Sequence, residues 1–499
     1  MALWAAITWG SVLLLVLALI CFLLFCGYVQ YIHMKYDHIP GPPRDSFLFG
    51  HAPTLMKIVN KKELIYDRFV EWAQTYGPIL RINRFHNVVV LVLTPEGIKE
   101  FLMSPKYTKG QVYKPFSELF GVRFMGNGLL TDRDYDHWHK QRRIMDPAFS
   151  RTYLRGLMGT FNEKAEGLME KLAEKADGKS EIVIHDLMSR VTLDVIAKVA
   201  FGMELNSLHD DQTPFPRAIS LTLQGVKESR NPFLQYIPGK RTFVRNVKES
   251  IRLLRQTGTE CIERRQKMIQ GKKEIPTDIL TQILKGADLE DNYDLEALLD
   301  NFVTFFIAGQ ETTANQLSFA VLELARHPEI LEKVQAEVDD VIGSKTNIEY
   351  DDLGNLPYLS QILKETLRLY PTAPGTSREL TEEVVIEGVR IPPGVTLGLN
   401  SYVMGRMETF YKDPLTFDPE RFSPDAPKPY FTYFPFSLGP RSCVGQVFAQ
   451  MEAKVVMTKL LQRFEFQLVE GQSFKILDTG TLRPMDGVIC RIKPRRVNK

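Results

Sequence analysis

The chain has 499 residues, 44% of them hydrophobic, and its 62 Lys and Arg residues nearly balance 60 Asp and Glu, which leaves a formal charge of +2. This composition supplies a large core, and the balance gives no support to nucleic-acid binding, which is typical of strongly basic domains. Five scattered cysteines indicate neither a disulfide framework nor a zinc site, so we expect the bulk of the chain to face a reducing compartment.

The first predicted element is a membrane anchor over residues 1–30. No charge occurs from Leu3 to Cys26, a stretch longer than the roughly 20 apolar residues that a transmembrane helix needs. A cleaved signal peptide is the alternative, but a basic start, a short core and a small-residue cleavage site are missing. Lys35 follows the span, which predicts a cytosolic remainder. Aromatic residues typical of membrane interfaces are Trp4 and Trp9 at one end and Tyr28, Tyr31 and Tyr36 at the other.

Residues 31–45 are predicted to be a stiff hinge, because three prolines and a glycine at 40–43 fix φ and break helices. The remaining residues, 46–499, form the predicted catalytic domain. Near its start we predict a helix over 63–76, a β-hairpin over 79–93 and a helix that opens at Thr94 with proline in its first turn. Residues 112–130 are expected to be a long loop.

A helix around residues 136–143 places Trp138 and Arg142 four positions apart, hence on one face. On these residues alone, an exposed cation–π pair is an equally good interpretation. Lys140 and Arg143 continue the basic run. They suit a docking face for an acidic electron donor, although a solvated face is the commoner case.

The segment 294–326 is predicted to be one helix about 50 Å long at 1.5 Å per residue. Its centre is apolar all round, so it must cross the core. Gly309, Thr312 and Thr313 then interrupt the pattern and are expected to open or bend the backbone. Polar residues at this depth indicate a site, while a simple kink is the alternative.

Two later segments carry further candidates. Glu365 and Arg368 lie three apart on the polar face of a helix over 358–370, and periodicity alone predicts an exposed ion pair. Short strands are predicted over 384–391 and 395–402.

Cys443 is predicted to lie at or just before the N-terminus of an apolar-faced helix, where free N–H groups and the helix dipole favour a thiolate. Gly439 and Gly445 permit positive φ and close approach of the backbone to a flat group, and Arg441 supplies a cation for an acidic substituent. A lone cysteine is otherwise most often a small buried hydrophobe.

At every fixed position of Phe-x-x-Gly-x-Arg-x-Cys-x-Gly, residues 436–445 resemble the haem-binding loop of the cytochrome P-450 monooxygenases. The resemblance implies that Cys443 is the axial ligand of a haem b iron, with Phe436, Gly439 and Arg441 also at the cofactor. It further implies that Trp138, Arg142 and Arg378 hold the haem propionates, since they match the corresponding family elements.

Residues 308–313 resemble the oxygen-activation motif of the same family. By that match Thr312 is the hydroxyl of the oxygen pocket and Glu311 its acid partner in proton delivery, while Phe305 and Ala308 form an apolar pocket wall. Glu365, Arg368 and the later Arg421 resemble a buried structural triad. Here the resemblance contradicts the exposed ion pair that periodicity predicts.

The resemblance covers essentially the whole chain and implies a mainly α cytochrome P-450 fold, a large helical domain with a small β subdomain and one N-terminal transmembrane helix. Its chemistry is monooxygenation with O2 and with NADPH electrons from NADPH-cytochrome P-450 reductase. We expect a single-pass protein of the endoplasmic reticulum membrane with a cytosolic catalytic domain. A haem-thiolate isomerase or dehydratase and a non-catalytic haem-binding membrane protein are the alternatives.

Four stretches, residues 149–150, 161–166, 300–309 and 428–439, resemble a sterol side-chain hydroxylase of that family. The anchor and the apolar wall suit such a lipophilic substrate. They suit a fatty acid or a xenobiotic equally well.

Overall fold

The computed structural model describes residues 1–231, 233–287 and 294–495, so residues 232, 288–293 and 496–499 of the predicted catalytic segment lie outside the described residues. The chain is mainly helical. Its α-helices are α1 (Ala2–Lys35), α2 (Ala52–Asn60), α3 (Ile65–Tyr76), α4 (Pro95–Met103), α5 (Lys114–Ser117), α6 (Tyr135–Met145), α7 (Arg151–Arg155), α8 (Met158–Ala173), α9 (Ile184–Phe201), α10 (Phe215–Glu228), α11 (Arg241–Gln270), α12 (Ile279–Ala287), α13 (Leu295–Arg326), α14 (Pro328–Val341), α15 (Pro357–Leu369), α16 (Ser401–Met404) and α17 (Gln446–Arg463).

The strands are short and lie mostly in small sheets: β1 (Ile79–Arg84), β2 (Asn87–Val92), β3 (Glu118–Leu119), β4 (Val122–Arg123), β5 (Glu181–Val183), β6 (Gly375–Glu379), β7 (Val384–Ile386), β8 (Val389–Ile391), β9 (Thr396–Asn400), β10 (Phe464–Leu468), β11 (Ile476–Asp478), β12 (Leu482–Pro484) and β13 (Ile489–Pro494). One sheet has the order β1-β2-β9-β6, in which β2 and β9 run parallel and the other pairs antiparallel. A second has the order β10-β13-β5, and β11 pairs with β12 in a hairpin.

Local sequence signals explain several of these elements. The predicted hairpin over 79–93 is confirmed as β1 and β2. The Thr94 hydroxyl caps α4 by accepting from the Gly97 N–H, and the Asp134 carboxylate caps α6 in the same way. The long loop predicted over 112–130 is wrong in part, because α5 and the β3–β4 pair lie within it.

The end of the N-terminal helix and the hinge pack against the rest of the protein. Helix α1 is long and apolar enough to cross a membrane, with almost all of its spanning part exposed, but it continues to Lys35, five residues into the predicted hinge. Tyr36, expected at the membrane interface, is instead buried, and its hydroxyl donates to the carbonyl of Pro393 (2.8 Å). The Arg81 N–H donates to the carbonyl of Pro40 (2.8 Å), which docks the hinge on β1.

Helix α13 forms the centre of the larger hydrophobic core. From Asp300 to Leu324 its residues are buried except Ala308, Gly309 and Thr312. The rings of Phe302 and Phe306 stack on each other on this helix, where the pattern predicted a core crossing. The helix packs against α9, α15 and α17. Its three accessible residues therefore lie among the helices of the core.

Glu365 and Arg368 form a buried ion pair, so the exposed pair that periodicity predicted is wrong. Both side chains are almost fully buried, and the guanidinium donates twice to the carboxylate at 2.7 Å. Arg421 Nε lies 3.4 Å from the same carboxylate, as in the triad that the resemblance implied. Arg368 also donates to the carbonyls of Gly405 and Pro414 (2.5 and 2.7 Å) and thereby fixes the irregular segment before the cysteine loop.

We predict that Glu365→Gln costs about 3–5 kcal/mol of unfolding free energy, because it leaves the Arg368 charge buried without its anion. The control is Glu465→Gln, which removes the exposed pair of Glu465 and Lys493 and should cost less than about 1 kcal/mol. Urea unfolding followed by circular dichroism measures both. Equal, small losses for the two variants would contradict the structural role of the buried pair.

Candidate functional site

The segment 436–445 is a tight loop that presents Cys443 three residues before α17 begins. The Cys443 N–H donates to the carbonyl of Phe436 (2.8 Å), and the Ser442 N–H donates to that of Gly439 (3.0 Å). Gly439 has φ +67°, and a Cβ there would lie 2.2 Å from the carbonyl oxygen of Leu102. Its close approach is therefore to the protein backbone.

Gly445 differs from the expectation. Its φ is −85°, so the positive φ expected there is wrong. The residue is the N-cap of α17, and its backbone N–H is directed at the Cys443 sulfur.

Cys443 is accessible and at the same time desolvated by the protein around it. The residue has a large accessible surface, yet burial raises the pKa of its thiol. The Gly445 N–H, Arg142 and Lys109 oppose this shift, but desolvation outweighs them. The protein alone therefore does not favour the thiolate that the helix N-terminus led us to expect. A bound metal ion would reverse the balance, since thiols lose their proton on coordination.

A second accessible patch lies on α13. Ala308, Gly309 and Thr312 are at positions i, i+1 and i+4 and so share one face of a helix that is otherwise buried. Because α13 packs directly on α17, this patch and Cys443 belong to neighbouring core elements. Phe305, predicted to line the same wall, is instead buried with its ring against Phe149.

The helix is continuous through 308–313, so the predicted opening is not a gap in α13. Gly309 serves close helix packing, since a Cβ there would lie 2.8 Å from the side chain of Ile196 on α9. The Thr312 hydroxyl donates to the carbonyl of Ala308 (2.7 Å), and the Glu311 carboxylate accepts from the Thr481 hydroxyl (3.1 Å). The two groups that the resemblance pairs thus hold different partners.

Cationic side chains converge on the cysteine loop from four segments of the chain. Arg441 stacks over the Trp138 ring at 3.9 Å, so the partner of Trp138 is Arg441 and not Arg142. Arg142 donates to the carbonyl of Ser442 (2.6 Å) and pairs with Asp146 at 2.5 Å. Trp138 and Arg142 therefore both lie against the loop of Cys443, and their predicted contact with the haem propionates stays a prediction.

Arg378 is nearly fully buried on β6. Its guanidinium donates only to neutral oxygens, those of the Thr376 hydroxyl (3.1 Å) and the Ser377 carbonyl (3.0 Å). Burial lowers its pKa.

Lys109 is a further buried cation that the sequence analysis missed. Its ammonium donates to the carbonyl of Leu130 (2.6 Å). Burial and the nearby charges of Arg378, Arg441 and Arg142 hold its pKa well below the usual range. The sequence around Lys109 carries no motif. Its isolated β-bridge to Arg378 places it beside that residue.

Two of these side chains, Lys109 and Arg378, lack an anionic partner among the described residues. No carboxylate among the described residues forms an ion pair with Lys109 or Arg378. Burial also lowers the pKa of Arg441 to about 10. Because buried charges are costly unless they are paired, an anionic ligand at this place would stabilise the charged forms of these side chains.

Glu452 on α17 is the other residue that sequence reasoning missed. It is fully buried, both of its carboxylate oxygens lack a hydrogen-bond partner among the described residues, and burial raises the pKa of its carboxyl well above the usual value. Its place in an amphipathic helix pattern gave no signal.

Comparisons with known proteins agree with this geometry. The model of the family described as "Cytochrome P450" matches residues 40–498. Cytochrome P450 4d2 of Drosophila melanogaster is 30% identical over 92% of this chain and 94% of its own length. Cytochrome P450 4B1 of Rattus norvegicus is 30% identical over 97% and 96%, and cytochrome P450 3A16 of Mus musculus is 27% identical over 97% and 96%. The chain belongs to the cytochrome P450 family.

Membership makes the protein a haem-dependent monooxygenase and implies a haem-thiolate iron, dioxygen, a redox partner and a lipophilic substrate. The residues present fit such a haem. Cys443 is an accessible cysteine, and the unpaired cations Lys109 and Arg378 close to it match a ligand that carries two carboxylates. The predicted fold class, mainly α with a small β region and one apolar N-terminal helix, is confirmed.

We predict that Lys109→Met raises the rate of haem loss about tenfold, because a charge-assisted contact to the cofactor is lost. Transfer of haem to apomyoglobin, followed by absorbance, measures that rate. The matched control is Lys454→Met, since Lys454 also donates to a main-chain carbonyl, that of Leu353 (2.6 Å), but does so from α17. An unchanged rate for Lys109→Met, or an equal rise in both variants, would contradict the assignment.

Proposed function

We propose that the protein is a membrane-bound monooxygenase that hydroxylates the side chain of a sterol with electrons from NADPH-cytochrome P-450 reductase. The observation that carries the proposal is the pair of buried side chains without anions, Lys109 and Arg378, close to the accessible Cys443. A haem b would satisfy both features at once. Bound there, it supplies activation of dioxygen, of which one atom enters a C–H bond and the other leaves as water.

Each side chain has a role in this proposal. Cys443 would ligate the iron, and Lys109, Arg378 and Arg441 would neutralise the propionates. Trp138 and Arg142 would hold the ligand loop in place, the first by stacking with Arg441 and the second through the Ser442 carbonyl. Phe436 supports the same loop by accepting from the Cys443 N–H.

The accessible face of α13 would form the opposite wall. Thr312 offers a hydroxyl there, and Glu311 is the acid from which that hydroxyl is resupplied with protons. Ala308 offers an apolar surface for substrate. Phe305 would contact substrate only if its ring left Phe149.

The membrane setting follows from α1. We propose that this helix holds the protein as a single-pass anchor in the endoplasmic reticulum membrane with the catalytic domain in the cytosol. The exposed basic side chains Lys140 and Arg143 on α6, the helix that carries Arg142, suit an acidic face of the reductase.

The sterol substrate rests on likeness to cholesterol 24-hydroxylase. Residues 300–309 and 428–439, with 149–150 and 161–166, resemble that enzyme. Ser377 lies beside Arg378 on β6, is buried and has a hydroxyl without a hydrogen-bond partner among the described residues; this hydroxyl faces Gly110. The alternative substrates are a fatty acid or a xenobiotic.

The test is turnover of purified protein with the reductase, NADPH and a panel of sterols and fatty acids, with products identified by mass spectrometry. We expect a sterol hydroxylated on its side chain. Hydroxylation of fatty acids alone would overturn the sterol assignment, and NADPH-independent turnover of a lipid hydroperoxide would favour the isomerase or dehydratase.

The same assay tests the proton-delivery role when it is repeated with Thr312→Ala. Haem content should remain, while product formed per NADPH falls about tenfold or more, as for loss of a general acid–base group. Hydrogen peroxide measured in parallel should rise correspondingly. An unchanged ratio of product to NADPH would remove this role for the hydroxyl.

A further inference from the structure

The carboxylate of Glu311 is the inner end of a chain of side-chain hydrogen bonds. The Thr481 hydroxyl donates to Glu311 Oε1 (3.1 Å), and the Asn315 amide donates to that hydroxyl (3.2 Å). His185 Nε2 lies 2.9 Å from Asn315 Oδ1 and must donate to it, because an amide oxygen is only an acceptor. Every hydrogen in this chain therefore points toward Glu311.

The chain joins three separate elements. Glu311 and Asn315 lie one turn apart on α13, Thr481 precedes β12, and His185 is in the first turn of α9. The three α-helical residues are buried. His185 Nδ1 lies 3.9 Å from the carboxylate of Asp186, whose side chain is 73% exposed. The hydrogen-bonded chain thus runs from the start of α9 to the Glu311 carboxylate on α13.

The turn that carries Thr481 is held firmly. The Thr479 N–H donates to the carbonyl of Thr481 (2.9 Å), and the Leu482 N–H donates to that of Thr372 (2.9 Å). Gly480 between them has φ +99°, which a residue with a Cβ rarely adopts. The hydroxyl is therefore presented to Glu311 by a preorganised backbone rather than by a mobile loop.

These hydrogen bonds fix the orientation of the Glu311 carboxylate. Among the described residues, the Thr481 hydroxyl is the side-chain donor to the Glu311 carboxylate. The Thr312 hydroxyl donates instead to the carbonyl of Ala308. A carboxylate at this depth needs donors to stay in one position. Without Thr481, its side chain would be free to adopt other rotamers relative to Thr312.

We propose that Thr481, Asn315 and His185 are positioning residues that hold the Glu311 carboxylate in the orientation from which it resupplies protons at Thr312. The proposal rests on the proposed monooxygenase function. It assigns a part in that reaction to the β11–β12 turn and to the start of α9, neither of which carries a recognised motif in this chain.

The principal test is Thr481→Val, which removes the hydroxyl but keeps the shape, assayed as haem-loaded enzyme with reductase, NADPH and the substrate found in the panel. Product per NADPH should fall about tenfold, because a hydrogen bond to a charged group is lost. The KM for substrate should stay the same while kcat falls, and Thr481→Ser should restore both the ratio and kcat. An unchanged ratio in Thr481→Val, or no rescue by serine, would overturn the proposal.

The control is Thr458→Val on α17. Thr458 is fully buried, and its hydroxyl has no partner among the described residues, so its loss should leave the product ratio at the wild-type value. A fall equal to that of Thr481→Val would mean that any buried threonine has this effect, which refutes the assignment. If Thr481→Val fails to fold, His185→Ala replaces it and should lower the ratio in the same direction.

A double-mutant cycle tests the contact itself without turnover. Thr481→Val should lower the midpoint of thermal unfolding of the haem-loaded protein less in a Glu311→Ala background than in the wild type. Additive losses would show that the two side chains do not interact and would overturn the proposal. Wild-type protein that forms no product with NADPH refutes the proposed function instead, so the two failures are distinguishable.

Discussion

The structure depends on positive charge that the chain itself does not neutralise. Lys109 and Arg378 are buried against carbonyl and hydroxyl oxygens, and Arg441 lies on the Trp138 ring. A buried cation with only neutral partners costs free energy, so the folded domain is built to receive an anionic ligand. Membership of the family implies a haem-thiolate iron, and Cys443 lies beside these side chains. Haem satisfies both demands, and membership of the cytochrome P450 family agrees with it.

Other elements of the fold position Cys443 and the residues around it. Helix α13 provides one accessible patch in a buried core, and α17 holds the cysteine loop at its N-terminus. The Glu365 and Arg368 pair fixes the irregular segment that leads to the loop. On the other side, the β11–β12 turn reaches α13 and engages Glu311. In the proposed function, elements distant in sequence would together hold the cofactor and position the Glu311 carboxylate.

Much of this was predictable from the sequence where a local signal exists. The caps of α4 and α6, the β1–β2 hairpin and the run of α13 follow from residue patterns within one element. Three features were not, because they depend on contacts between elements. Periodicity placed Glu365 on a polar face, but the 405–418 segment covers it. Lys109 has no motif, and desolvation of Cys443 outweighs the helix N-terminus.

The central claim is that the Cys443 sulfur binds the iron of a haem. The absorbance spectrum of the reduced protein with carbon monoxide tests it most directly, with Cys443→Ser compared with the wild type and with Cys490→Ser, a buried cysteine on β13. The account predicts a thiolate-type spectrum for the wild type and for Cys490→Ser, and its loss in Cys443→Ser. A Cys443→Ser protein with haem bound and the wild-type spectrum would contradict the account.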